Sequence, residues 1–318
     1  MLKQPYLLFL GDAPDALAAK VAQGIKDWRP DASVGQFRMN GCNADMDLPD
    51  LSIDDAIAKG AKTLVIGVAN RGGLISDAWK AVLIQAMEAG MDIAAGLHTL
   101  LRNQPDLVEA ANRTGRTLHD VRIPTVQYPI GEGKRRTGKR ILAVGTDCSC
   151  GKMYTACAME KEMHARGMKA TFRATGQTGI LVTGSGVPLD AVVADFMAGA
   201  VETITPDNDE DHYDLIEGQG SLFHPSYSGV TMALIHGGMP DHLILCHEPT
   251  RTHMRGLPHY VSPGLAALRP LAEELARVVN PNVTTIGCSI NTKALSDAEA
   301  EAYLKKTEDE IGLPCSDP

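Results

Sequence analysis

The stretch that most limits how this chain can fold is RILAVGTDCSCGKMYTACAMEK, Arg140 to Lys161. An apolar run ends at Gly145, a short turn closes at Gly151, and a lysine opens a run of helical composition. That order reads as a β-strand, a glycine-bounded loop and a helix N-terminus. Such a loop aims successive backbone N–H groups at one point, and the helix dipole adds partial positive charge there. Lys152 supplies a full charge. The residues of this anion loop, Gly145, Thr146, Asp147, Cys148, Ser149, Cys150, Gly151, Lys152 and Met153, are the candidate cofactor-binding set. Five residues separate the two glycines, one more than in the usual P-loop. Met153 stands where nucleotide-hydrolysing loops carry Ser or Thr, so the magnesium-binding hydroxyl is missing. Thr155, three residues beyond Lys152, faces another side of the helix. Asp147 is left as a group for a metal or a substrate amine. Phosphoryl transfer depends on Mg²⁺ between the β- and γ-phosphates. A loop lacking that hydroxyl fits a metal-free task, such as gripping a phosphorylated carrier like coenzyme A, and no metal is expected.

Around this loop the chain alternates strands and helices. PYLLFLGDAP reads as a buried strand, and the following helix puts Leu17, Val21, Ile25 and Trp28 on one side. Strands at SVGQFRM, TLVIGVAN and MDIAAG are separated by helices at IDDAIAKGA and SDAWKAVLIQAMEAG. TLLRNQPDLVEAANRTGRTLHDVR reads as two short helices around Pro105, with RTLHDVR closing this half. VQYPIGEGKRRTGKR, with three glycines and five basic residues, reads as a linker. Beyond it, strands are expected at RILAVGTD, KATFRAT, YDLIEGQ, HLILCHE and VTTIGCSIN. The fold class is α/β with mostly parallel sheets. A Rossmann-like N-terminal domain is expected over 1–135 and a P-loop-type domain over 136–318.

Bulk properties narrow the partners. A chain of 318 residues with 44% hydrophobic and 22% charged residues is that of an ordinary globular protein. The net charge of -9 argues against nucleic acid, whose phosphates attract basic surfaces. No segment approaches the roughly 18 apolar residues of a membrane span. The apolar run near the N-terminus stops at Asp12 and is too short for a signal peptide. The seven cysteines contain no CxxC pair, which points to a reducing, cytoplasmic setting. A homo-oligomer is the expected assembly.

Three further strand ends carry polar clusters. Glu217 follows an apolar strand in DLIEGQGSLFHPSYSG, and Ser221, His224, Tyr227 and Ser228 follow in the same loop. LILCHEPTRTHMRG places His247, Glu248, Thr250, Arg251, His253 and Arg255 after another strand, a composition suited to carboxylates or phosphates. FRATGQTGI offers Arg173, Thr175, Gln177 and Thr178 at a third. Ligands of open α/β sheets bind beyond the carboxyl ends of strands, so these clusters belong with the loop. Cys148 and Cys150 lie at a helix N-terminus, which lowers thiol pKa, but small residues also simply fill a tight loop.

The longer loop with GTD at its start resembles that of dethiobiotin synthetase and its relatives. Over essentially the whole chain, VGTDCSCGKMYTA, RATGQTGIL, IEGQGSLFHPSYSG, LCHEPTRTHMRG and GLPCSDP are similar to the DUF1611 family. PYLLFLGDAPDALAAKVAQGIKDWRPD and LVIGVANRGG resemble its branch described as D-glutamate N-acetyltransferases. The resemblance implies acetyl-CoA as co-substrate and a small amino acid, D-glutamate, as acceptor. An epimerase/dehydratase label carried by some relatives finds no support, because GDAPDA lacks a GxGxxG fingerprint. Residue roles for such a transfer are assigned by chemistry. Glu217 or His247 would take the amine proton. Gln177 or backbone N–H groups would hold the oxyanion. Arg173, Arg251 and Arg255 would hold carboxylates, with Ser221, His224 and Tyr227 beside the substrate. The alternative is an ATP-dependent carboxylate ligase or kinase of the dethiobiotin-synthetase-like class.

Overall fold

A computed structural model describes residues 2–16, 18–69, 73–124 and 126–318. They form two compact units, one of residues 1–125 with 177–188 and one of 126–176 with 189–318. In the first, β1 (Tyr6–Gly11), β2 (Ser33–Arg38), β3 (Thr63–Ile66), β4 (Asp92–Ala95) and β5 (Leu118–Asp120) form one sheet in the order β2-β1-β3-β4-β5. Every pairing is parallel. All residues of β1, β3 and β4 are buried, as expected of strands covered on both faces.

The N-terminal stretch of this unit supplies the helices α1 (Lys20–Trp28), α2 (Ile53–Ala58), α3 (Asp77–Glu88) and α4 (Pro105–Thr114). Ser52 and Ser76 cap α2 and α3 by accepting hydrogen bonds from Asp55 N and Trp79 N. Of the residues assigned to one face of α1, Val21 and Ile25 are buried, Trp28 is partly so, and Leu17 lies outside the described residues. The pair of helices expected around Pro105 is a single 3₁₀ turn, Leu101–Asn103, followed by α4. RTLHDVR is the edge strand β5, not a closing cap. Its Asp120 carboxylate accepts from Leu101 N at 2.7 Å and Arg102 N at 3.2 Å.

The second unit holds β6 (Lys139–Gly145), β7 (Lys169–Arg173), β8 (His212–Ile216), β9 (His242–His247), β10 (Thr284–Ile290) and β11 (Cys315–Ser316). Their order is β11-β10-β9-β6-β8-β7, again parallel throughout. Between them run α5 (Lys152–Ala165), α6 (Gln177–Thr183), α7 (Ala194–Ile204), α8 (Ser228–Gly238), α9 (Leu265–Arg277) and α10 (Asp297–Ile311). The expected strands and the helix expected after the anion loop, α5, are present. The segment 126–138 is not a free tether. Glu132 N and Gly133 N donate to the Glu202 carboxylate of α7, and Arg136 Nη2 donates to Gly237 O at 2.7 Å. These bonds fix the segment to the second unit, which by its contacts begins at residue 126.

Helix α6 is the exception to sequence order. Gly179, Ile180, Leu181 and Val182 are buried, and Leu181 and Val182 belong to the first unit's core, where α6 packs on α1. Its glycines and threonines are poor helix formers, so packing rather than propensity holds it helical. Among the described residues no helix is long and apolar enough to cross a membrane.

Candidate functional site

Because every strand of the second sheet runs the same way, the carboxyl ends of β7, β8, β6, β9 and β10 share one edge. The register aligns Arg173 with Ile216, Gly145 with Cys246, and His247 with Ile290. The anion loop leaves the end of β6, flanked by β8 and β9. Gly151, with φ of 107°, caps α5 in a left-handed conformation that other residues rarely adopt. Gly218 lets strand ends close up, since a Cβ there would meet Ala143 O and, at 2.8 Å, Lys152 Cδ.

Lys152 is buried, and its Nζ donates to Asp147 O at 2.8 Å and to Cys150 Sγ at 3.7 Å. The cation thus sits inside the loop that an anion would enter. Thr146 N donates to Cys246 O at 3.0 Å, tying the loop to β9. Thr155 Oγ1 bonds Gly151 O at 3.1 Å and Ser289 Oγ at 2.7 Å, so this hydroxyl is committed to the fold.

Asp147 is fully engaged. Oδ1 accepts from Cys148 N at 2.6 Å, and Oδ2 accepts from Arg255 N at 2.7 Å and Arg251 Nη1 at 3.1 Å. Arg251 also donates to Cys148 O, to Ser149 O at 3.2 Å and to Glu248 at 2.9 Å. Its guanidinium clamps the segment after β9 onto the loop and does not stand open for a carboxylate. Arg251→Ala should therefore destabilise the protein by about 3 kcal/mol, because a buried carboxylate loses its cation. Urea unfolding measures it, and a change below about 0.5 kcal/mol would mark the pair as a surface contact. Arg173 is similarly committed, donating to buried Asp214 at 2.7 Å. Arg255 presents an exposed side chain from a backbone pinned to Asp147.

Ser221 is buried and donates to Thr146 O at 3.0 Å. His224 is buried as well, with Nδ1 accepting from Ser226 N at 3.2 Å and Nε2 3.4 Å from Arg255 O. Tyr227 stacks on its ring at 4.5 Å. Asp147, Cys148 and His224 bring ligand-type atoms within 4.8 Å of one another, the one such group among the described residues. The Arg251 guanidinium already supplies a cation to Asp147, and a backbone N–H already uses one His224 nitrogen. Burial pushes the Cys148 thiol up more than Lys152 pulls it down, which opposes a thiolate nucleophile at neutral pH.

Glu217 lies just beyond β8 and is buried. Its Oε2 accepts from Thr175 N at 2.8 Å and Gly176 N at 3.0 Å. Oε1 accepts no hydrogen bond among the described residues. Burial pushes the carboxyl up to about 7, against the pull of these two N–H groups and of Lys152. His247 ends β9 with Nδ1 2.9 Å from Thr146 Oγ1, and burial lowers its pKa. Glu217 can therefore exchange a proton near neutrality, and burial favours the neutral imidazole of His247. Gln177 opens α6 and lies against Gly96 of the first unit, where its side chain would meet any Cβ. Thr175, a candidate by its hydroxyl, acts here through its N–H, and the Gly176 N–H and the Gln219 side chain, which donates to Thr175 O, carry parts of the site that residue type alone did not single out. The signal available was position: Gly176 follows a strand end, and Gln219 lies two residues past Glu217.

A strand, glycine loop and buried lysine at the carboxyl edge of a parallel sheet define a P-loop-type domain, joined here to a Rossmann-like unit. Residues 37–124 match the domain of unknown function described as the DUF1611 N-terminal Rossmann-like domain, and 129–318 match the DUF1611 C-terminal P-loop domain. The chain belongs to the DUF1611 family. A protein of Tritonibacter scottomollicae named D-glutamate N-acetyltransferase is 67% identical over 318 residues, spanning all of this chain and 96% of that protein. One of the same name from Pseudoalteromonas is 45% identical over 317 residues, again spanning all of this chain and 96% of its own. The crystal structure of a DUF1611 family protein from Anabaena variabilis superposes with a TM-score of 0.87 at 33% identity, covering 99% of this chain and 95% of that one.

Proposed function

We propose that the protein is a D-glutamate N-acetyltransferase that moves the acetyl group of acetyl-CoA to the amine of D-glutamate. The two full-length relatives of that name support the substrate pair. The chemistry rests on one observation: a buried carboxyl, Glu217, with one oxygen held by two backbone N–H groups and a pKa near 7, beside an anion loop without a magnesium hydroxyl. Coenzyme A presents a pyrophosphate to such a loop and no γ-phosphate to transfer. Lys152 and the loop N–H groups hold the coenzyme phosphates. Glu217 takes a proton from the substrate ammonium, freeing its lone pair to attack the thioester carbonyl. The C–N bond forms, the C–S bond breaks, and the second proton lost by the nitrogen goes to the departing coenzyme thiolate. Arg255, the arginine of this cluster without an ion-pair partner among the described residues, grips a substrate carboxylate. The seven free cysteines support a reducing, cytoplasmic setting for the enzyme.

The test offers D-glutamate with acetyl-CoA in one tube and with ATP in another, following free thiol and ADP. Thiol release without ADP is the expected result, and it persists after EDTA treatment and dialysis. ADP formation, or activity that vanishes with EDTA and returns with Mg²⁺, would instead favour the ATP-dependent ligase.

A further inference from the structure

The Glu217 carboxylate is held unevenly. Oε2 receives both N–H donors, from Thr175 and Gly176, while Oε1 receives none among the described residues. The two donors belong to a segment that is itself fixed on both sides. Thr175 Oγ1 donates to Glu217 O at 2.7 Å. Gln219 Nε2 donates to Thr175 O and lies 3.3 Å from Thr175 Oγ1. The ends of β7 and β8 are thereby laced into one rigid piece around the carboxyl.

The glycine at 176 has a second role in this piece. Its φ is not in the left-handed region, so the backbone alone would accept alanine. Space is what a methyl group would contest. A Cβ at 176 would lie 3.1 Å from Glu217 Oε1 and 3.2 Å from Gln219 Nε2. A methyl group would therefore sit against the one carboxylate oxygen that the cradle leaves free. The charged groups that bear on Glu217 are Lys152 and Asp190, of opposite sign.

We propose that Gly176 and Gln219 are positioning residues for proton transfer: the Thr175 and Gly176 amides fix Oε2, so that Oε1 is the accepting atom, and the absence of a side chain at 176 keeps Oε1 within reach of the substrate amine. The proposal rests on the reading of Glu217 as the base. It adds which oxygen acts and what holds it there. An unconstrained carboxyl would have to find its orientation at each turnover, whereas two fixed N–H donors leave it only the productive one.

The test is the pH dependence of kcat in Gly176→Ala and Gln219→Ala, compared with Glu217→Gln and wild type. Acetyl-CoA affinity is measured by calorimetry and folding by circular dichroism. Gly176→Ala is expected to lower kcat about 10- to 100-fold with acetyl-CoA affinity unchanged. Its acidic limb should move to higher pH, because the added methyl group strips solvent from Oε1 and disfavours the anion. Gln219→Ala should move the limb the same way by loosening the Thr175 amide, and it carries the test if Gly176→Ala fails to fold. If Glu217→Gln removes the limb while both cradle variants keep wild-type kcat and limb, the positioning role is overturned and the base assignment stands. If Glu217→Gln itself keeps the limb, the base assignment falls, and the positioning role with it.

Discussion

Glu217→Gln is expected to lower kcat about 10²- to 10⁴-fold and at the same time to make the protein more stable above neutral pH. Glutamine keeps the shape of the side chain and can still accept from the Thr175 and Gly176 N–H groups through its carbonyl, so coenzyme binding should survive. It cannot take a proton from an ammonium. The stability effect follows from burial. The Glu217 carboxyl is pushed up to about 7 in the folded protein, from an ordinary value of 4.5. Between those two values the folded protein keeps a proton that the unfolded chain has already released, so wild-type stability falls as pH rises through this window. Below it the term is fully present, and above it the term is lost. The glutamine variant carries no such loss and should exceed wild type at pH 8 by on the order of 2–3 kcal/mol, with the two converging near pH 4. Urea unfolding at the two pH values checks this. Equal pH dependence in both proteins would mean that the carboxyl titrates as an exposed one.

Lys152→Met should raise the dissociation constant for acetyl-CoA about 10- to 100-fold, while the KM for D-glutamate changes little. Methionine keeps the apolar stem that packs beside Gly218 and removes only the charge. A charge-assisted hydrogen bond contributes about 1.5–3 kcal/mol, which is that range of affinity. Lys152 also pulls the Glu217 pKa down, so its loss should carry the acidic limb of kcat to higher pH. Calorimetry with acetyl-CoA and a pH profile test the two effects together. Unaltered coenzyme binding would remove the loop from the coenzyme site.

What could be read from the sequence divides by the range of the interactions that decide it. The buried strands were legible because parallel strands covered on both faces are continuous apolar runs, as YLLFLG and RILAVG are. The anion loop was legible because its glycines, lysine and flanking elements lie within a few residues of one another. The partner of Arg251 was not, since Asp147 lies 104 residues away and only the fold reveals that this arginine holds the loop together. The Glu217 cradle depends on backbone N–H groups 42 and 41 residues away, which no side-chain pattern announces. The strand β5 has three residues and was hidden behind a helical composition. Helix α6 was hidden by glycine and threonine, and its assignment to the first unit could be seen only from what its apolar face covers.

That last placement bears on how the protein emerges from the ribosome. The N-terminal unit contains residues 177–188, and Leu181 and Val182 fill part of its core. Translation has passed through β6, the anion loop, α5 and β7 before those residues exist. Domains commonly fold in order as they are synthesised, the first while the second is still being made. Here the nascent N-terminal half must wait with an apolar face uncovered until the first two strands of the second sheet have been added. A gene fragment ending at residue 125 would keep that face exposed permanently, and recombination that exchanges the first 125 residues between relatives would have to carry the 177–188 segment with it.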